Sequence, residues 1–194
     1  MPNDSLRERK KQQTRMALSE AAMTLALQHG VASVRTEDIA ALANVSMRTF
    51  NNYFPSKEAA IVASVDHRLD TIRAALAQRP LTEALDVSFR QAILASFPEW
   101  PDRHWLAQIM LMRDHPSLIQ EQHSSDLRVI RALAGMIEDR ATSSQRDIFP
   151  VLLASILVTA VRVAIGHWIE AGGGGSLHDA ISDALVRITV ASTS

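Results

Sequence analysis

The chain has 194 residues, no cysteine and a formal net charge of −1. The missing thiols exclude disulfides and cysteine-based zinc sites and fit a reducing compartment, while the length suits a small head on a larger body. Seven glycines, seven prolines and an alanine- and leucine-rich texture without alternating β-branched runs predict an all-α fold of about nine helices.

The near-neutral balance hides an uneven distribution. Residues 1–57 carry eight Lys or Arg against five Asp or Glu, whereas residues 58–194 carry twelve against sixteen. The head is basic and the body acidic. Arg7, Arg9, Lys10, Lys11 and Arg15 form the densest cluster, opposed only by Glu8. Taken alone it reads as a solvated charge run; beside a DNA-reading motif it reads as a phosphate-contacting arm.

Such a motif follows. In Thr36-Glu-Asp-Ile-Ala-Ala-Leu-Ala, the residues Ile39, Ala40, Leu42 and Ala43 predict one apolar helix stripe, with Glu37 and Asp38 at its positive end. Asn44 suits a left-handed corner, Val45 can plug the crease and Ser46 can cap the next helix. In that second helix Phe50, Tyr53 and Phe54 return to the core. Met47, Arg48, Thr49, Asn51 and Asn52 are left outward, and Pro55 stops the helix before Ser56-Lys57-Glu58 starts another. Two short helices joined by a tight turn, the second rich in groups that bond base edges and phosphates, predict a helix-turn-helix reader of double-stranded DNA.

Gly30, Ile39-Ala40, Val45-Ser46, Thr49-Phe50, Tyr53-Phe54 and Ser56-Lys57-Glu58 stand in the order of the N-terminal domain of TetR-type transcriptional repressors, which residues 7–62 resemble. The resemblance implies a DNA-binding set of Arg35, Thr36, Ser46, Met47, Arg48, Thr49, Asn51, Asn52, Tyr53 and Lys57. Arg35 occupies a position where a capping hydroxyl is usual, so either Thr36 takes over the cap or Arg35 addresses a phosphate. Asn51 replaces a usual aromatic residue.

Beyond the head, residues 57–78 predict a fourth helix with Ile61, Val65, Leu69, Ile72 and Leu76 on one face, broken by Pro80. Leu81, Leu85, Phe89, Ile93 and Phe97 mark a fifth, and further helices are expected near 102–113, 116–140, 148–171 and 177–191. Ser176 with Asp179 predicts the last N-terminus, after a flexible glycine loop at 172–175. The run from Ile148 is apolar all round, yet Arg162 interrupts it before the roughly 18 to 20 residues a bilayer span requires. A buried helix in a cytoplasmic protein is expected, with no membrane partner. That helix and the stripe Leu177, Ile181, Leu185, Ile188 predict a homodimer through residues about 148–171 and 177–191. Two recognition helices about 34 Å apart then read a pseudo-palindromic operator.

For a small-molecule effector the candidate lining is Phe89, Trp100, Trp105 and Met110, with Arg113, Arg128, Arg162 and His167 as polar anchors. Each is individually a commoner core or surface residue than a ligand contact. The segments beginning at Arg113 and at Ala164 resemble the C-terminal part of TetR-type regulators that respond to acyl-CoA-like ligands, which implies an effector of that class. The division expected is 1–56 for DNA and 57–194 for ligand and dimer. A small helical enzyme is the rival class, on the pairs His167 with Glu170 and Asp114 with His115; a helical protein-interaction module is a third. Neither a nucleophile elbow nor a P-loop lysine is present, and no cofactor, catalytic or metal site is assigned.

Overall fold

A computed structural model describes residues 2–63, 68–141 and 147–191. Among them every regular element is helical: α1 (Pro2–His29), a 3₁₀ turn (Val31–Ser33), α2 (Thr36–Leu42), α3 (Met47–Tyr53), α4 (Lys57–Ala63), α5 (Arg68–Ala77), α6 (Leu85–Leu94), α7 (Arg103–Asp114), α8 (Pro116–Glu138), α9 (Phe149–Glu170) and α10 (Leu177–Ala191). The all-α expectation holds. The fourth helix predicted from sequence is described as α4 and α5, and Val65 lies outside the described residues.

The chain forms two compact units. The first holds the described residues of 1–67 and 103–125. Its core gathers Leu18, Ala22, Met23 and Ala26 of α1, Ile39 and Ala40 of α2, Phe50 of α3 and all five residues from Ala59 to Ala63 of α4, with Met112 of α7. Alanines at 22, 26, 59 and 60 keep that packing close, and α1 with α4 is the most extensive pairing of the unit. Leu42 departs from the predicted stripe and faces solvent. A seven-residue helix is too short to hold itself in water, so α2 and α3 exist because this core takes their apolar faces.

Gly30 makes the first corner possible. Its φ of 78° and ψ of 148° belong to a region that side-chain-bearing residues avoid, and its N–H still closes α1 on the Ala26 carbonyl at 3.0 Å.

The second unit holds the described residues of 68–102 and 126–194. Here α9 packs on α10, and α5 and α10 pack on α6. Pro150, Ala154, Leu157, Ala160, Ala164 and Trp168 form the buried face of α9 at three-and-four spacing. Its other face carries Val151, Leu152 and Val163, all more than half exposed. Within a single chain α9 is thus not buried all round. Nor does Arg162 cut the helix short: apolar residues resume behind it, and α9 is long and apolar enough, by length and composition alone, to cross a membrane.

The stripe of α10 departs from its expected place in an interface. Leu177, Ile181 and Leu185 are buried within their own unit and are no exposed dimer face. Ser176 caps α10 as expected, its Oγ accepting from the Asp179 N–H at 3.1 Å. The loop before it is tied down: the Trp168 indole donates to the Gly175 carbonyl at 3.3 Å, and a Cβ on Gly173 would meet the Trp168 ring at 3.4 Å. The fifth predicted helix begins later than its periodicity suggested, at Leu85, and Leu81 is exposed.

Candidate nucleic-acid interface

The turn between α2 and α3 is built as its residues dictate. Asn44 takes a φ of 54°, and the Asn44 and Val45 N–H groups close on the Ala41 and Ala40 carbonyls at 3.0 and 2.9 Å. Val45 packs against the core of the first unit. Ser46 then caps α3, accepting from the Thr49 N–H at 3.1 Å, a contact of about 1 kcal/mol in such positions. Its hydroxyl also lies 2.9 Å from that of Thr49.

Two phenylalanines fix the rotation of α3 about its axis. Phe50 and Phe54 are 1 % and 2 % exposed, with ring centroids 6.1 Å apart. Losing either ring would cost about 3 to 5 kcal/mol. With that face inward, Arg48, Asn51 and Asn52 are necessarily outward, and all three are exposed. Their spacing of three and four residues puts them on one face. Met47, Thr49 and Tyr53 are half-buried at its flanks, while Ser46 is exposed at its start.

At α2 the first of the two alternatives for the cap fails. Arg35 is the N-cap residue without a side-chain cap, and the Thr36 hydroxyl bonds the Glu37 carboxylate at 3.4 Å instead. Arg35 is exposed. Lys57, at the start of α4, is half-buried, and its ammonium donates to the Ala32 and Val34 carbonyls at 3.2 and 3.0 Å. Sequence reasoning missed this. Carbonyls at the end of a 3₁₀ turn advertise no side-chain type, so nothing in the composition marks them. Ser56 caps α4, accepting from the Ala59 N–H at 3.0 Å.

The basic cluster divides in two. Arg7, Arg9, Lys10 and Lys11 are exposed on the first turns of α1, whereas Arg15 is half-buried, its guanidinium 4.5 Å from the Phe54 ring centroid and donating to the Tyr53 carbonyl at 3.4 Å.

The candidate effector residues are not gathered within one unit. Trp105, Met110 and Arg113 belong to the first unit, while Phe89, Trp100, Arg128, Arg162 and His167 belong to the second. Phe89 is fully buried core of α6, and Trp100 is 66 % exposed. Arg113 Nε meets Asp114 Oδ1 at 2.7 Å, and Arg162 reaches Asp126 Oδ2 at 2.7 Å. The Arg113 guanidinium holds the Asp114 carboxyl below its ordinary range, partly offset by desolvation. Arg128 and His167 are exposed.

Comparison with known proteins agrees with this geometry. Residues 18–63 match the family model described as bacterial regulatory proteins, tetR family. Residues 79–191, more than half of the chain, match the model described as the MftR C-terminal domain. No curated protein matches. Among solved structures, a TetR-family transcriptional regulator from Rhodococcus sp. is similar with a TM-score of 0.51 at 20 % identity, over 92 % of this chain and 98 % of that one. A transcriptional regulator from Rhodococcus sp. Rha1 is similar at 0.50 and 15 % identity, over 90 % and 95 %. Likeness at that identity concerns the fold, and the two family matches carry the assignment. The chain belongs to the TetR family of bacterial regulatory proteins and is a helix-turn-helix DNA-binding transcriptional regulator, not an enzyme.

Proposed function

We propose that the protein is a homodimeric repressor that holds a pseudo-palindromic operator and leaves it when a small, elongated and partly anionic ligand of acyl-CoA type binds. Residues 1–56 read the DNA and 57–194 take the ligand and form the dimer. The observation that carries the DNA half is the exposed face of α3, where Arg48, Asn51 and Asn52 stand outward because Phe50 and Phe54 are locked inward. Arg48 and Arg35 hold phosphates, as does Lys57 with the N–H that its two carbonyl bonds leave over. Asn52 reads a base, since its amide can pair bidentately with adenine, and Thr49 reads from the edge of the same face.

Dimer formation through α9 and α10 is supported by the exposed apolar residues Val151, Leu152 and Val163 on α9 and Val186 on α10. The ligand reading is supported by the mixture of aromatic, Met and Arg residues in 89–167 and by the resemblance of the C-terminal segments. An anionic ligand end at Arg113 or Arg162 would replace the Asp114 or Asp126 carboxylate.

Calorimetry with a panel of acyl-CoAs, repeated with operator present, tests the coupling. By linkage, a ligand that lowers DNA affinity by a factor of about 5 to 150 must bind more weakly to the DNA complex by the same factor. Ligand binding that is indifferent to DNA contradicts the release mechanism.

A further inference from the structure

Arg15 ends a basic run that reads as an arm for phosphates, but its surroundings give it another task. The guanidinium lies 4.5 Å from the centroid of the Phe54 ring, and one of its N–H groups reaches the Tyr53 carbonyl at 3.4 Å. Tyr53 is the last residue of α3, so that carbonyl is one of the acceptors which a helix end leaves without an intrahelical donor. Phe54 is 2 % exposed and anchors α3 in the core. A cation over the ring and against the negative helix end is favourable on both counts. Arg15 itself is half-buried, whereas Arg7, Arg9, Lys10 and Lys11 are exposed.

We infer that Arg15 is a positioning residue for base recognition: a cationic clamp from α1 that sets the C-terminal end of α3, rather than one of the phosphate contacts. This rests on α3 being the base-reading helix. Asn51 and Asn52 lie two and one residues before the clamped carbonyl, so an error in the helix end is passed to the side chains that discriminate bases. The clamp therefore governs specificity more than attraction.

Salt dependence separates the two roles. A lysine or arginine that neutralises a phosphate contributes about 0.9 to the slope of log affinity against log salt, and its loss weakens every sequence alike. A clamp leaves the slope alone and weakens only the preferred sequence.

The experiment uses the full chain, a duplex enriched by the wild type from a random library, and a scrambled duplex of equal composition. Arg15→Met keeps the stem and removes the charge. Its affinity for the enriched duplex is expected to fall about 3- to 30-fold, the scale of a cation–aromatic contact. Affinity for the scrambled duplex and the salt slope should stay at the wild-type value. Arg48→Ala is the comparison, and there both duplexes should weaken and the slope should drop. All readings are taken at a temperature where circular dichroism shows the variants folded, because a purely stabilising role would move the melting temperature and leave the specificity ratio of the folded protein unchanged. Should Arg15→Met not fold, Arg15→Lys keeps the charge a phosphate needs but lacks the planar fork that spans ring and carbonyl, and a reduced specificity ratio is again expected. A lowered slope with both duplexes weakened alike, or a folded variant with the wild-type ratio, overturns the inference. If the wild type itself enriches no sequence, the reading of α3 as base-reading fails instead.

Discussion

Asn52 and Arg48 are four residues apart on α3 and share its exposed face, yet the proposed reading gives them different work. The amide presents a donor and an acceptor to a base edge; the guanidinium presents only donors and charge. Asn52→Ala is expected to relax base preference at one position of each half-site, at a cost of about 1 to 3 kcal/mol, measured by competition among single-base operator variants. Arg48→Ala should weaken all variants together. The reverse pattern would exchange the two assignments. At this scale much was legible from residue type alone. Asn44 in the left-handed corner, Ser46 as cap and the inward phenylalanines follow from properties each residue carries everywhere. Lys57 and Arg15 were not legible, because their partners are backbone carbonyls and the face of an aromatic ring, brought close only by the packing of distant segments.

At the level of elements, the corner between α5 and α6 shows how a local polar cluster can outrank hydrophobic periodicity. Leu81 has the spacing of an α6 residue, but the chain first turns so that Glu83 can receive the Arg79 guanidinium and the Ser88 hydroxyl, the latter at 2.7 Å. Arg140 closes the other side, donating to the Leu76 carbonyl and, at 3.1 Å, to that of Arg79. The hydrogen bonds from Arg79 and then Ser88 hold the Glu83 carboxyl below its ordinary value of 4.5, against the opposing effect of desolvation. A carboxylate whose folded value is depressed stabilises fully above its unfolded value, and that contribution is lost as pH falls through the folded one. Glu83→Gln should therefore lower the melting temperature at pH 7, and the gap to wild type should close in acid below about pH 4.5. A gap of equal size at both ends of the titration would mean that shape, not charge, holds the corner. The same scale explains α9: an all-round apolar sequence shows that a helix has partners but not which of its faces one chain supplies.

For the whole molecule, dimer formation decides whether a seven-residue recognition helix can select a site, because one such helix covers only a few base pairs. The exposed apolar side of α9 relocates the test from the α10 stripe. Leu185 is 3 % exposed, so a charge there would damage the fold of a single chain; Val163 is 63 % exposed, so a charge there is harmless unless a second copy covers it. Val163→Asp is expected to give a folded monomer with much reduced operator affinity, since an unpaired charge buried at an interface costs about 3 to 5 kcal/mol. A variant that remains dimeric by light scattering would place the contact elsewhere.

Sequence-specific DNA reading by two copies of the α3 face is tested by the binding of the full chain to a selected palindromic duplex, titrated from about 50 to 200 mM salt beside a scrambled control. Two protein chains or a multiple of two should bind each duplex, with a preference over the control of at least about 10³ and affinity that falls by orders of magnitude across the salt range. Binding of a single chain, or affinity indifferent to both sequence and salt, would contradict it.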